Sequence, residues 1–165
     1  MRTGIWKRPV EGRVAVLEDH LDGDQTADLR VHGGSEKAVY AYPAEHYPRW
    51  TAELRLPLRW GSFGENLTTR GILEAELKAG DRLRIGDAEF RVTTPRLPCT
   101  KLGIRFGDPG MIRRFLESGR SGFYLGVLRR GSVGAGDAIE RTAEGPPGPT
   151  IAEVFRQKAS RAMQS

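Results

Sequence analysis

A single cysteine, Cys99, stands among 165 residues. That excludes an internal disulfide, an iron–sulfur cluster, which takes about four thiolates, and a zinc ribbon, which takes paired cysteines. If this protein handles electrons, another protein delivers them. The three histidines, His20, His32 and His46, lie too far apart for zinc-ligand spacing. Aromatic residues make up only 8% of the chain and fall mostly inside expected strands and helices, which leaves no stacking platform for single-stranded nucleic acid. No apolar run approaches the roughly 20 residues of a membrane helix, and the N-terminus lacks a signal-peptide core. A cytoplasmic protein that does not meet a membrane is the expectation.

What is present fits one turn-rich domain: 38% hydrophobic and 28% charged residues, with 21 glycines and 10 prolines. The formal net charge of +5 favours anionic partners without choosing among phosphate groups, nucleic acid and acidic surfaces.

Residues 12–18, "GRVAVLE", and 38–42, "AVYAY", read as strands. Between them a polar, glycine-bearing stretch contains "HGG". Residues 43–56 carry helix formers, with Pro48 as an alternative start. Residues 76–95 form two strands joined at "IGD". Met111, Ile112, Phe115 and Leu116 have helical spacing, with Gly119 as the stop. "GFYLGVLRRGSVGAGDAIE" reads as two more strands. These elements make residues 1–141 one domain, mainly β with α decorations and β-barrel-like. Residues 142–149 are a Pro/Gly linker. Residues 150–165 are an amphipathic helix with Ile151, Val154 and Phe155 on one face, which must dock on this domain or on a partner.

Three constellations carry chemistry, each with a plainer alternative. Cys99 is either a packed thiol or, between Arg96 and Lys101, a thiolate able to bind a soft metal. "GSFGENL", residues 61–67, is either a β-turn or a loop whose amides cradle an anion, with Asn66 as a further donor. "VHGGSEKAVY" is either a glycine-turned loop or a site with His32 as proton donor and Lys37 as a charge for phosphate. His46 is equally suited to pack on Tyr47.

"GDQTADLRVHGGSEKAVYAYPAEHYPRW", "GSFGENLTTRG" and "PRLPCTKLGIRF", in this order, resemble the YiiM-like branch of the MOSC domain family, the molybdenum cofactor sulfurase C-terminal domain. "GRSGFYLGVLRRGSVGAGDAIE" extends the resemblance to the closing strands. It implies a β-barrel that binds the molybdenum cofactor and, at family level, an association with pyridoxal phosphate. It also implies reduction of N-hydroxylated compounds such as hydroxylated purines, amidoximes and hydroxylamines, with electrons from a separate flavin or iron–sulfur protein.

By the resemblance, Cys99 is the molybdenum ligand. Gly33, Gly34, Lys37, Phe63, Gly64, Glu65, Asn66, Leu67, Arg96 and Lys101 line the cofactor cavity. His32 and Glu65 are the candidate acids. The longer C-terminal helical region usual in that branch is represented here by one helix. Two other readings stand beside this one: a non-catalytic carrier of the cofactor or of sulfur, and a basic barrel for nucleic acid.

Overall fold

The computed structural model describes residues 9–23 and 35–165. A six-stranded sheet in the order β3-β2-β6-β5-β4-β8 curls into a half-barrel. Its strands are β2 (Val39–Pro43), β3 (Leu67–Thr69), β4 (Arg82–Ile85), β5 (Ala88–Pro95), β6 (Phe123–Arg129) and β8 (Ile139–Ala143). Only the β2–β3 pairing is parallel. A two-stranded antiparallel ribbon, β1 (Arg13–Val16) with β7 (Gly131–Gly134), completes the β structure.

All five residues of β2 are buried. Because side chains alternate across a strand, β2 serves two different cores. Val39 and Ala41 join Leu83, Phe90, Val92, Phe123 and Leu125 in an aliphatic-rich core. Tyr40 and Tyr42 turn the other way and join Tyr47, Trp50, Phe63, Phe115, Tyr124 and Phe155. The scarce aromatics are thus concentrated on one face of the sheet, where four helices cover them: α1 (Tyr47–Leu54), α2 (Thr100–Phe106), α3 (Met111–Ser118) and α4 (Ile151–Gln164).

Each helix has a local cause. Pro48 sits in the first turn of α1, as one reading of its segment expected. Gly119 ends α3 with φ 71°. Thr150 caps α4: its hydroxyl accepts from Glu153 N–H at 3.1 Å, and the Glu153 carboxylate accepts from Thr150 N–H at 3.3 Å. The terminal helix docks on this chain through Ile151, Phe155 and Ala159, while Val154 is half-buried.

One expectation needs correction, and one helix was not read at all. Residues 123–143 form three strands rather than two, because the chain leaves the large sheet after Arg129 and enters the small ribbon at Gly131. A continuous apolar pattern does not mark that switch. Helix α2 went unread because it is short and follows Pro95 and Pro98, and because Cys99 is its cap in place of a hydroxyl or carboxylate residue.

Gly122 sets the frame of the aromatic face. Its φ is +68°, and a Cβ there would lie 2.6 Å from the Ala41 carbonyl and 2.8 Å from both the Tyr40 and Tyr42 rings. That approach brings the carbonyls of Arg120 and Ser121 onto the tyrosine hydroxyls: Tyr42 O–H donates to Arg120 at 2.9 Å and Tyr40 O–H to Ser121 at 2.5 Å. Among the described residues no helix is long and apolar enough to cross a membrane.

Candidate functional site

Cys99 ends an extended stretch after Pro98 and caps α2, its carbonyl accepting from Leu102 N–H at 3.0 Å. Its side chain is half-buried. Arg96, at the end of the same stretch, is only 5% exposed. The Arg96 guanidinium lies 4.9 Å from the Tyr40 ring centroid, a cation–π contact. One terminal nitrogen donates to the Phe63 carbonyl, while the buried Nε has no partner. Burial disfavours this charge, yet Tyr40, Tyr124 and Cys99 outweigh it and hold the Arg96 pKa above its ordinary value. No carboxylate is among those neighbours.

Tyr124 completes the group. It stands opposite Tyr40 in the β2–β6 register, their rings 5.1 Å apart. Lys37, ending a 3-10 turn at Ser35–Lys37, places its ammonium 5.6 Å from the Tyr124 ring centroid. Burial raises the Tyr124 pKa; Arg96 opposes the rise and Cys99 adds to it. Arg96 and Cys99 are therefore both near enough to act on the charge of the Tyr124 phenol.

The 61–67 loop is built around its own acid. Gly61 and Gly64 adopt φ of 91° and 79°, which lets the chain fold back so that Glu65 points inward at 3% exposure. The Glu65 carboxylate accepts from Tyr47 O–H at 2.5 Å, Phe63 N–H at 3.1 Å and Thr68 O–H at 3.0 Å. Burial first, and then the Glu65 charge, push the Tyr47 pKa far up, so its proton stays in place. Ser62 N–H donates to the Arg59 carbonyl and Gly64 N–H to that of Gly61. Asn66 and Tyr40 exchange two bonds, Asn66 N–H to the Tyr40 carbonyl at 2.8 Å and Tyr40 N–H to Asn66 Oδ1 at 2.7 Å.

The amides of Ser62, Phe63, Gly64 and Asn66 are thus committed within the chain. The loop turns the Phe63 carbonyl toward Arg96, and the cations around the cysteine are side chains.

Of the residues singled out from the sequence, Cys99, Arg96 and Lys37 come together around Tyr40 and Tyr124, with Phe63 and Gly64 joined to them through Arg96. Leu67 begins β3, and Lys101 is half-buried in the first turn of α2. His32, Gly33 and Gly34 lie outside the described residues. His46 pairs with Glu74 at 2.8 Å and rests edge-on against Tyr42 rather than serving this site. Tyr40, Tyr47 and Tyr124 were missed as site residues because a strand or helix aromatic reads as core. The alternation of β2 was the available signal, since it puts Tyr40 and Tyr42 on one face.

A groove of about 1030 Å³ runs between the β1–β7 ribbon and the edge strand β3. Glu65 and Asn66 line it, but Cys99 and Arg96 do not.

The sequence model of the MOSC domain matches residues 28–140. YflK of Bacillus subtilis, an uncharacterised protein, is 42% identical over 151 residues, covering 92% of this chain and 68% of YflK. A Gibberella moniliformis protein named "Reductase" is 36% identical over 141 residues, covering 83% of this chain and 25% of that protein. The crystal structure of YiiM from Geobacillus stearothermophilus superposes with a TM-score of 0.84 at 32% identity, covering 96% of this chain and 74% of that one. The chain spans about two thirds of its curated bacterial relatives and one quarter of the fungal one.

Proposed function

Because the chain belongs to the MOSC domain family, we propose that it is a molybdenum-cofactor-dependent oxidoreductase. It removes oxygen from N-hydroxylated compounds (hydroxylated purines, amidoximes and hydroxylamines), with electrons from a separate flavin or iron–sulfur protein. The observation that carries this reading is a buried arginine, Arg96, with an unpartnered Nε and no carboxylate partner among the described residues, beside the half-buried thiol of Cys99. Its surroundings keep this guanidinium charged without supplying a carboxylate, so an anionic ligand would give it a counter-charge.

The residues fit the group. A phosphorylated pterin dithiolene needs cations for its phosphate and leaves room at its metal for a soft protein ligand. Arg96 and Lys37 supply the first, and Cys99 supplies the second. Among the described residues no group of three His, Cys, Asp or Glu side chains could hold a metal ion. When bound, the cofactor supplies two-electron chemistry at molybdenum. The chain's part is to bind and orient: Phe63 fixes the Arg96 guanidinium, and the Tyr47–Glu65 bond fixes the turn that carries Phe63. The name of the fungal relative supports a reductive direction.

The test uses protein expressed in a host that makes the cofactor, with an amidoxime as substrate and reduced viologen as electron source. Wild type converts the amidoxime to the amidine, and Cys99→Ser retains its thermal midpoint while losing turnover, because a hydroxyl is the harder, poorer ligand. Turnover retained in Cys99→Ser would contradict the ligand role. Metal-replete wild type that reduces no N-hydroxy compound would leave the carrier reading in its place.

A further inference from the structure

Most large apolar side chains of the described residues are buried, but Leu97 and Ile104 are 41% and 50% exposed. One exposed leucine needs no explanation. These two stand on either side of Cys99, Leu97 two residues before it and Ile104 on α2, the helix that Cys99 caps. Thr100 and Ile104, one turn apart, are the exposed positions of α2, whereas Leu102 and Gly103 face inward. Lys101 and Arg105 form the adjoining row, again one turn apart and half-buried. Residues 95–107 hold three cations, Arg96, Lys101 and Arg105, and no acid. The next acid, Asp108, accepts from Gly110 N–H at 2.9 Å and lies 3.8 Å from Arg114. An exposed apolar pair edged by positive charge is therefore built around the thiol, the arrangement of an interface centre and its rim.

We propose that this surface, Leu97 and Ile104 with the cations beside them, docks the electron donor, and that the donor is an acidic iron–sulfur protein. The proposal rests on the reductase reading above and names the partner and the place that reading leaves open. One cysteine cannot hold an iron–sulfur cluster, so electrons enter from outside, and their entry has to adjoin Cys99. The overall step is R–NH–OH + 2 e⁻ + 2 H⁺ → R–NH₂ + H₂O. The N–O bond breaks and the oxygen leaves as water. A [2Fe–2S] protein is oxidised by one electron per encounter, so two reduced molecules dock in turn, and solvent supplies both protons. That traffic needs a contact that forms fast and releases fast. Complementary charge speeds the encounter, and a small apolar area keeps the complex short-lived, as in other electron-transfer pairs. A flavoprotein that hands over both electrons in one encounter has no such need.

Two readouts test this. Cofactor-loaded protein reduces an amidoxime with electrons either from reduced viologen, a small dye that needs no docking surface, or from a reduced acidic plant-type [2Fe–2S] ferredoxin. Ile104→Glu sets like charge against the partner and raises the ferredoxin KM at least about tenfold. Its viologen-driven turnover stays within about twofold of wild type, and its thermal midpoint is unchanged. Ile104→Lys, equal in bulk and opposite in sign, loses far less. Raising salt from about 0.1 to about 1 M raises the ferredoxin KM of wild type and leaves the viologen reaction alone. In the second readout, oxidised ferredoxin is titrated into the protein at low salt and backbone amide shifts are followed by NMR. The changes centre on Leu97 and residues 100–105, and Ile104→Glu removes them.

A ferredoxin KM in Ile104→Glu within about twofold of wild type, or equal losses in the Glu and Lys variants, would overturn the acidic partner at this face. Turnover with a reduced flavodoxin and none with ferredoxin would overturn the iron–sulfur donor. If loaded wild type reduces nothing even with viologen, the reductase reading itself fails. The shift map stands apart from turnover: no change at Leu97 or along α2 would overturn the docking surface whatever the kinetics show.

Discussion

Two buried arginines, Arg96 and Arg120, sit on the same aromatic face and differ in what answers their charge. Each stacks on a ring, Arg96 over Tyr40 at 4.9 Å and Arg120 over Trp50 at 4.0 Å, and each has a buried nitrogen without a partner. Arg120 is answered from within: Glu53 accepts twice from its Nη2, both at 2.8 Å. Among the described residues Arg96 has a backbone carbonyl, the Tyr40 side chain, and the neighbouring Tyr124 and Cys99, none of them a carboxylate. The first is a tie between α1 and the segment before β6. The second is a cation positioned for an anion that the described chain does not provide. Burial and cation–π geometry are nearly alike, so the presence or absence of a carboxylate separates a structural arginine from a binding one.

The comparison can be broken in order of effect. Gly122→Ala strikes the frame that both sites share, since a side chain at φ +68° meets the Ala41 carbonyl and two tyrosine rings. Stability falls by about 3 kcal/mol or more in urea denaturation, and an unchanged midpoint would deny Gly122 that place. Arg120→Met removes a structural tie and costs about 2 kcal/mol through the lost stacking and hydrogen bonds. Arg96→Met removes an unmatched buried charge, so the unloaded chain loses no more than about 1 kcal/mol. Equal losses in the two variants would dissolve the distinction.

The exposed Arg13–Asp137 pair, 3.0 Å apart, is the reference for an ordinary surface contact. Arg13 first, and then the Gly134 N–H, hold the Asp137 pKa below the ordinary carboxylate value. That contribution is complete above the ordinary carboxylate range and is lost as pH falls through the lowered pKa. Gly134 amide exchange should approach its intrinsic rate only below that point. Protection that persists through it would remove the pair from the account.

Much of the frame was legible in the residues. Val39–Pro43, the hairpin at residues 82–95 and helix α3 follow from periodicity and turn chemistry. Cys99 and Arg96 stood out because charge near a thiol is a chemical signal in any fold, and Lys37 because a cation beside glycine amides suits a phosphate. The site's phenols did not, since Tyr40 and Tyr124 differ from core aromatics only in what their hydroxyls meet, and that depends on a β2–β6 register absent from local sequence. For the 61–67 loop the residues left open a β-turn or an anion cradle, and the described bonds fit the turn, with the buried Glu65 taking one amide and nearby carbonyls three others. Arg120 carries no local signal, its role being set by Trp50 and Glu53 on a helix distant in sequence.

The most direct test of the central claim is molybdenum and pterin content in wild type, Arg96→Met and Arg120→Met, purified from a cofactor-producing host. The account predicts stoichiometric metal and pterin in wild type and in folded Arg120→Met, and loss of both in folded Arg96→Met. Full cofactor in Arg96→Met, or none in well-folded wild type, would contradict it.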